Sequence, residues 1–261
     1  MDIIVLIKQI PDPEIPPASF KIDATANKVI PPGGIAPVID PYSEHALEAG
    51  LKLKDANPGS SLKALSLGFS LNKDILKKAL ALGADELILL DDPAYANLDS
   101  VASASVLACA VKKIGKFDVI LTGRAAADWD AGQTGLLLAG ILNIPAVSHA
   151  KKVELSSGRL RIERVVSGGY EILEASMPAV VTVGSEMGKL RLPNIKGVLA
   201  AKKKEPVYWK TADLGAVPAP KMKLVKLYQP QREAKCELIP GSTPEEQGVN
   251  LALKLRELKL I

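Results

Sequence analysis

The amino-acid sequence predicts an α/β fold in which a parallel sheet carries helices on both faces. Three observations lead there. Up to about Ser148, short apolar runs alternate with longer helical patterns. The short runs are apolar at consecutive positions, as strands covered on both faces require. Helix-starting and helix-stopping residues bracket the segments between them. A chain of 261 residues accommodates one large domain, or one domain with a smaller module, and 48% hydrophobic against 24% charged residues exclude general disorder.

The first strand is read at residues 3–7. The opening run Met1-Asp2-Ile3-Ile4-Val5 has no basic stretch before it and no small-residue cleavage site after it, which argues against a secretory leader. Further buried strands are expected at residues 62–67, 87–90 and 119–121. The first helix follows Asp40-Pro41, where Asp accepts from open amides as N-cap and Pro presets φ, with Leu47 and Leu51 on its inner face. The second carries Leu71, Ile75, Leu76, Ala79 and Leu80, and stops at Gly83 as a left-handed C-cap. A third is expected from about Ser100 to Ile114.

After Pro145 the pattern becomes alternating. A hairpin is read at residues 153–155 and 160–165 around Ser156-Ser157-Gly158, and a further strand pair flanks Gly168-Gly169. From Gly184 the composition turns rich in Pro and Lys, which suits an extended arm. The arm ends in a helix started by Thr243-Pro244-Glu245-Glu246, with Leu251, Leu255 and Leu258 as its apolar stripe. The stripe either meets a partner surface or folds back over its own domain. The expected division is therefore an α/β domain at residues 1–183, including the late hairpins, and an arm at residues 184–261.

The residue inventory removes many chemistries. A net charge of +4 without a basic stripe interleaved with aromatics argues against nucleic acid. Cys109 and Cys236 form no CxxC, so neither a disulfide framework nor a cysteine-ligated cluster is built from this chain, and a reducing compartment is expected. The histidines, His45 and His149, lack partners at zinc spacing, so no metal is expected. Gly184-Ser185-Glu186-Met187-Gly188 does not set a serine in a nucleophile elbow. Neither a P-loop nor GxGxxG follows the first strand, and residues 8–17 offer no catalytic loop. Ser167-Gly168-Gly169 resembles the pyrophosphate loop of ATP pyrophosphatases, but falls in the hairpin region and reads as a turn. No segment has the uninterrupted apolar length of a membrane helix, so the expectation is a soluble, cytoplasmic chain.

One loop looks like a site. After the strand at residues 119–121 come Thr122, Gly123, Arg124, Ala125, Ala126, Ala127, Asp128, Trp129, Asp130, Ala131, Gly132, Gln133, Thr134 and Gly135, then the apolar helix start Leu136-Leu137-Leu138. Small residues let a ligand approach the backbone, and free amides at a helix start favour phosphate. Thr134 adds a hydroxyl donor and Arg124 a planar cation. Asp128 and Asp130 would repel a phosphate, so they are expected on ribose hydroxyls, on backbone caps or in solvent. Asp40, Pro41, Tyr42 and Ser43 are expected on the same edge, with Leu6 and Leu67 as an apolar wall for a base. An ordinary connection between strand and helix is the competing reading of the loop.

The residues resemble the electron transfer flavoprotein family, specifically its β subunit, over nearly the whole chain. The most specific part is Ile162-Glu163-Arg164-Val165-Val166-Ser167-Gly168-Gly169-Tyr170-Glu171-Ile172 with Met177-Pro178-Ala179-Val180-Val181-Thr182; Ser167 stands where the family usually has an acidic residue. Gly123, Ala126, Asp128, Gln133 and Thr134 fall on the family's adenine-nucleotide loop, and residues 40–43 on its second binding segment, with Asp40 where Asn is common. The resemblance implies a Rossmann-like, adenine-nucleotide-binding fold with AMP held in this chain and FAD shared with an α subunit. Electron-bifurcating relatives hold a second FAD in place of AMP. Residues Glu186, Met187, Gly188, Lys189, Leu190, Arg191 and Leu192 are similar to the loop that anchors acyl-CoA dehydrogenases, which implies a role in fatty acid oxidation. An exposed Leu190 or Leu192 would serve as anchor within a cationic rim. No catalytic residue is expected, since flavin carries the redox work; the chain would be an electron carrier. A stand-alone nucleotide-binding protein and a nucleotide-free structural subunit are the alternatives.

Overall fold

The computed structural model describes residues 1–30, 33–215, 218–230 and 236–261. Strand β1 (Asp2–Leu6) opens the chain. Its continuous apolar run serves both faces of the sheet: Ile3 and Val5 enter one core cluster, Ile4 and Leu6 the other. The long connection after it contains the short strands β2 (Gln9–Ile10), β3 (Lys21–Asp23), β4 (Lys28–Ile30) and β5 (Val38–Ile39), in which β2 pairs with β5 and β3 with β4. Helix α1 (Pro41–Ala56) starts at the expected cap, where the Asp40 side chain accepts from the Ser43 amide.

Strand β6 (Ser61–Gly68) follows. The expected second helix is two short ones, α2 (Lys73–Leu76) and α3 (Lys78–Leu82), broken at Lys77, and Gly83 ends α3 with the anticipated positive φ of 123°. Strand β7 (Glu86–Asp91) leads to helix α4 (Ser100–Ile114), capped by Asp99. Then come β8 (Val119–Gly123) and α5 (Thr134–Leu142).

Strands β9 (Ala146–Ser156), β10 (Arg159–Val166), β11 (Gly169–Ala175) and β12 (Ala179–Val183) complete this region. Strand β9 is longer than the alternation indicated, because it serves two partners. Its first half runs parallel to β12 and its second half antiparallel to β10, with His149 at φ 58° where the pairing with β12 shifts register. The turn into β10 places Ser157 and Gly158 at φ 48° and 75°, the left-handed pair of a tight hairpin.

The strands form one nine-stranded sheet in the order β11-β10-β9-β12-β8-β1-β6-β7-β13, where β13 is Val207–Trp209. Pairing is parallel from β9 through to β13, and β10 and β11 add an antiparallel edge. The late hairpins thus extend the main sheet. Helices α1 and α3, with α6 (Ile195–Lys203), cover one face; α4 and α5 cover the other. A fully buried Leu or Ile such as Leu65 or Ile120 contributes about 1.5–3 kcal/mol to this arrangement.

An extended arm beginning at Gly184 is not what the structure contains. Residues 195–214 fold into α6, β13 and α7 (Thr211–Leu214), and β13 joins the sheet beside β7, with Val207 opposite Ile88 and Trp209 opposite Leu90. Val207 and Trp209 pack on the second core cluster while Tyr208 is exposed; a three-residue alternation among lysines is too short to show a period. Beyond Pro218 the described chain has neither helix nor strand up to α8 (Pro244–Glu257), capped by Thr243 through the Glu246 amide at 3.2 Å. The Glu246 carboxylate reaches back to the Ser242 amide, one residue earlier than a capping box places it. Part of the arm folds over its own domain. One Asp99 oxygen caps α4 while the other accepts from the Lys221 and Met222 amides at 2.6 and 2.9 Å, and Asn27 bonds with Val225 and Leu227. Helix α8 itself buries no residue. Among the described residues, no helix is long and apolar enough to cross a membrane.

The amide of Ala102, followed by those of Met222 and Lys221, holds the Asp99 carboxyl below the usual carboxylate range. A depressed value means that its contribution is present at neutral pH and is lost as pH falls past the ordinary value of about 3.9 and through the lowered one. Asp99→Asn at pH 7 is expected to reproduce the acid state locally, speeding proteolytic cleavage within residues 218–230, as read by mass spectrometry of timed digests.

Candidate functional site

At the carboxyl edge of the sheet, β1 and β8 are neighbours whose connections diverge. The chain leaves β1 toward α1 and β6 on one side, whereas β8 is entered through α4 and left toward α5. Such a divergence opens a crevice where α/β sheets bind ligands. Two segments meet there: the start of α1 and the loop at residues 124–133.

Asp40 joins them. Its carboxylate is fully buried; Oδ2 accepts from the Ser43 amide at 2.8 Å and the Ser43 hydroxyl at 3.0 Å, while Oδ1 accepts from the Ala127 amide at 2.8 Å. The Lys8 amide donates to Ser43 Oγ at 3.1 Å, which brings the end of β1 into the same knot. Asp40 and Ser43 therefore hold the protein together at this edge, and their polar atoms face protein donors.

Two side-chain pairs close the crevice further. Lys8 Nζ lies 2.7 Å from both oxygens of Asp128. Asp128 thus pairs with Lys8, a partner that its sequence position did not indicate, since 120 residues of chain separate the two. The partnership also offsets the negative charge that would repel a phosphate. Arg124 donates to the Tyr42 hydroxyl at 2.9 Å and lies 4.9 Å from the centre of that ring, leaving other guanidinium hydrogens facing outward. Pro41 and Tyr42 form the first turn of α1, which packs on Gly123 so closely that a Cβ there would stand 2.6 Å from Tyr42 Cβ and 2.8 Å from its carbonyl carbon.

The remaining loop residues form a turn, with the Trp129 and Asp130 amides directed at the Ala126 carbonyl. Ala125 and Ala126 are half-buried; Ala127, Ala131, Gly132 and Gln133 are exposed, as is Trp129 at 61%. Asp130 and Gly132 have positive φ, and Asp130 is exposed, solvent being one of the three placements read for it. Thr134 is the first residue of α5, whose N-cap, Gln133, makes no side-chain cap bond. Helices α1, α4, α6 and α8 are all capped by a side chain, so α5 alone among the described helices of this length presents an uncapped N-terminus. Gly135 lets that terminus approach the sheet, since a Cβ would meet Thr122 Cγ2 at 2.5 Å. Leu6 is buried and Leu67 half-buried, both against the layer formed by α4 and α5. Sequence reading missed Ser66, whose fully buried hydroxyl has no hydrogen-bond partner among the described residues near the end of β6. A polar residue between two leucines, Leu65 and Leu67, was the available signal.

A phosphate-bearing group fits these residues: an uncapped helix start supplies amides, small residues permit close approach, and Asp128, one of the two loop carboxylates, is paired with Lys8. An open groove of about 810 Å³ on another flank of α1, lined in part by Lys52, Leu53, Lys151, Arg161 and Met187, shares no residue with the crevice.

The segment at residues 186–192 lies along α1. Met187 is buried and Leu190 packs against the core, so neither projects; Glu186, Gly188 and Lys189 are exposed, and Leu192 stands out at 88% exposure. Of the two leucines read as anchors, only Leu192 faces solvent, because Leu190 fills the space beside α1. Arg191 is not a rim charge either, being paired with Glu48 and Asp55. Glu48, and after it Asp55, push the Arg191 guanidinium above its ordinary value. Helix α6 continues the exposed surface with Ile195 at 82% and Leu199 at 54%.

Residues 33–214 match the electron transfer flavoprotein domain. The chain is 31% identical, over the full length of both, to the caffeyl-CoA reductase-Etf complex subunit CarD of Acetobacterium woodii. It is 35% identical to an electron transfer flavoprotein subunit beta from Thermoanaerobacterium thermosaccharolyticum, over 94% of each chain. It is also 33% identical to Protein FixA of Azorhizobium caulinodans, over 82% of this chain and 77% of that one.

Two substitutions test the geometry of the crevice. Gly123→Ala should cost about 3 kcal/mol, since its Cβ meets unyielding backbone of Tyr42. Asp40→Ala should cost about 2–4 kcal/mol by stranding the Ser43 and Ala127 amides. Urea denaturation of each variant measures both.

Proposed function

The chain belongs to the electron transfer flavoprotein family, as one of its β subunits, and on that premise we propose that it holds AMP in the crevice between β1 and β8. It would do so within a heterodimer whose α subunit carries most of the FAD contacts. The observation that carries this reading is the Asp40–Ala127 hydrogen bond, which fixes the loop at residues 124–133 beside the uncapped start of α5. The Thr134 hydroxyl and the first amides of α5 would hold the phosphate, with Arg124 adding charge. Ala125, Ala126 and Ala127 admit the nucleotide to the backbone, and Leu6 and Leu67 border the base.

Flavin, when bound, supplies the redox chemistry. The chain's own residues bind, orient and dock. Leu192, exposed between Lys189 and Lys196, suits insertion into an apolar pocket of a dehydrogenase with an acidic rim, and an acyl-CoA dehydrogenase is the partner we favour. The uncovered leucines Leu251, within α8, and Leu258, just after it, suit contact with the α subunit. The complex would work in the cytoplasm as an electron carrier.

A second reading puts another FAD in the crevice in place of AMP, as in electron-bifurcating complexes. It is favoured by the full-length similarity to a relative named as a subunit of a reductase-Etf complex.

Acid extraction of the purified heterodimer followed by chromatography decides between them. Released AMP supports the carrier, two FAD per heterodimer support the second reading, and neither nucleotide overturns both. Thr134→Val keeps shape but removes a donor, and should weaken nucleotide retention about 2–10-fold by calorimetry.

A further inference from the structure

The segment at residues 185–191 contains only the short turn Ser185–Met187, and side chains from one stripe of α1 hold its backbone. His45 Nδ1 lies 2.7 Å from the Gly188 carbonyl, Lys52 Nζ donates to the Met187 carbonyl at 2.8 Å, and Glu48 accepts from the Arg191 amide at 3.0 Å. Glu48 does more than this. Its side chain is only 6% exposed, and its two oxygens also receive Arg191 Nε at 3.2 and 3.1 Å and Nη2 at 3.0 Å. Arg191 Nη1 reaches Asp55 Oδ2 at 2.5 Å. A buried carboxylate satisfied by one guanidinium and one amide of the same residue fixes both the side chain and the backbone there.

Leu192 follows immediately. On its other side Asn194 caps α6 through the Gly197 amide at 2.7 Å, and a Cβ at Gly197 would overlap the Ala81 carbonyl, so α6 lies tight on α3. The exposed leucine therefore spans two fixed points, Arg191 and Asn194. An anchor held in place before encounter loses less freedom on binding.

We propose that Glu48 is a positioning residue for docking: its bidentate pair with Arg191 sets the direction of Leu192 toward the electron donor. The assignment rests on the reading of residues 186–192 as the docking segment. Arg191 is then a fastening and not a steering charge, and steering falls to Lys189 and Lys196.

The test uses the heterodimer, with an acyl-CoA dehydrogenase reduced by its acyl-CoA as electron donor. Glu48→Gln should raise the KM for the dehydrogenase about tenfold while kcat stays within about twofold, as expected when a buried pair that orders a surface segment is broken. Hydrogen exchange of the amides at residues 187–191 should accelerate, with nucleotide content unchanged. Glu48→Asp, which keeps the charge, should recover part of the KM. Leu51→Ala on the same helix, directed at the core beside Gly83, should lower stability without moving KM. Unchanged exchange in Glu48→Gln, or a KM that rises equally in Leu51→Ala, overturns the assignment. If Leu192→Ala raises KM and Glu48→Gln does not, the assignment alone falls; if Leu192→Ala leaves KM unaltered, the docking reading falls and takes the assignment with it.

Discussion

Burying a carboxylate costs several kcal/mol unless its oxygens are satisfied, and at Asp40 the satisfaction comes from two segments far apart in the chain. Ser43 supplies an amide and a hydroxyl from the first turn of α1, and Ala127 supplies an amide from the loop after β8. The group also sits at the positive end of α1, where the helix dipole favours it. The arrangement is all or nothing: if the loop withdraws, a buried acceptor and a backbone donor both lose partners. The crevice of this family member is thus shaped by an interaction internal to the protein.

Helix α1 consequently serves two places at once. Its first turn builds the crevice, and its later turns, through His45, Glu48, Lys52 and Asp55, carry the segment that ends in Leu192. Close packing makes the helix a rigid support. Gly50 allows approach to Val5 and Leu62, where a Cβ would stand 2.7 and 3.0 Å away, and Gly123 allows the first turn to press on β8. The neighbouring strands β8 and β12, paired at Gly123 and Val183, send their continuations into the loop at residues 124–133 and the segment at residues 185–191 respectively. The Arg124 amide bonds to the Val183 carbonyl at that junction. The two regions are adjacent because two parallel strands end side by side.

The site residues divide by how far their partners lie along the chain. Asp40 as a helix cap was legible, since its first partner is three residues away. Its second partner, Ala127, was not, because no local pattern encodes a contact across 87 residues. Asp128 drew an expectation of ribose, cap or solvent, and meets Lys8; Arg191 was read as a partner contact, and meets Glu48. In each case the sequence showed a charged residue without showing where its counter-charge would be. The residues at 45, 48, 52 and 55 share a helix face, which periodicity reveals, but what covers that face depends on the tertiary path of residues 185–191.

What the sequence by itself determined was local in origin: the apolar runs of the parallel strands, the caps at Asp40 and Thr243, the stop at Gly83 and the tight turn at Ser157-Gly158. Its motifs also carried the family. Only the tertiary structure decided that β9 serves two partners, that β13 extends the sheet beyond β7, that Leu192 and not Leu190 faces outward, and that α5 is left without a cap. Propensity and periodicity act over a few residues, whereas burial, strand neighbours and charge partners are fixed by which distant segments the packed sheet brings together.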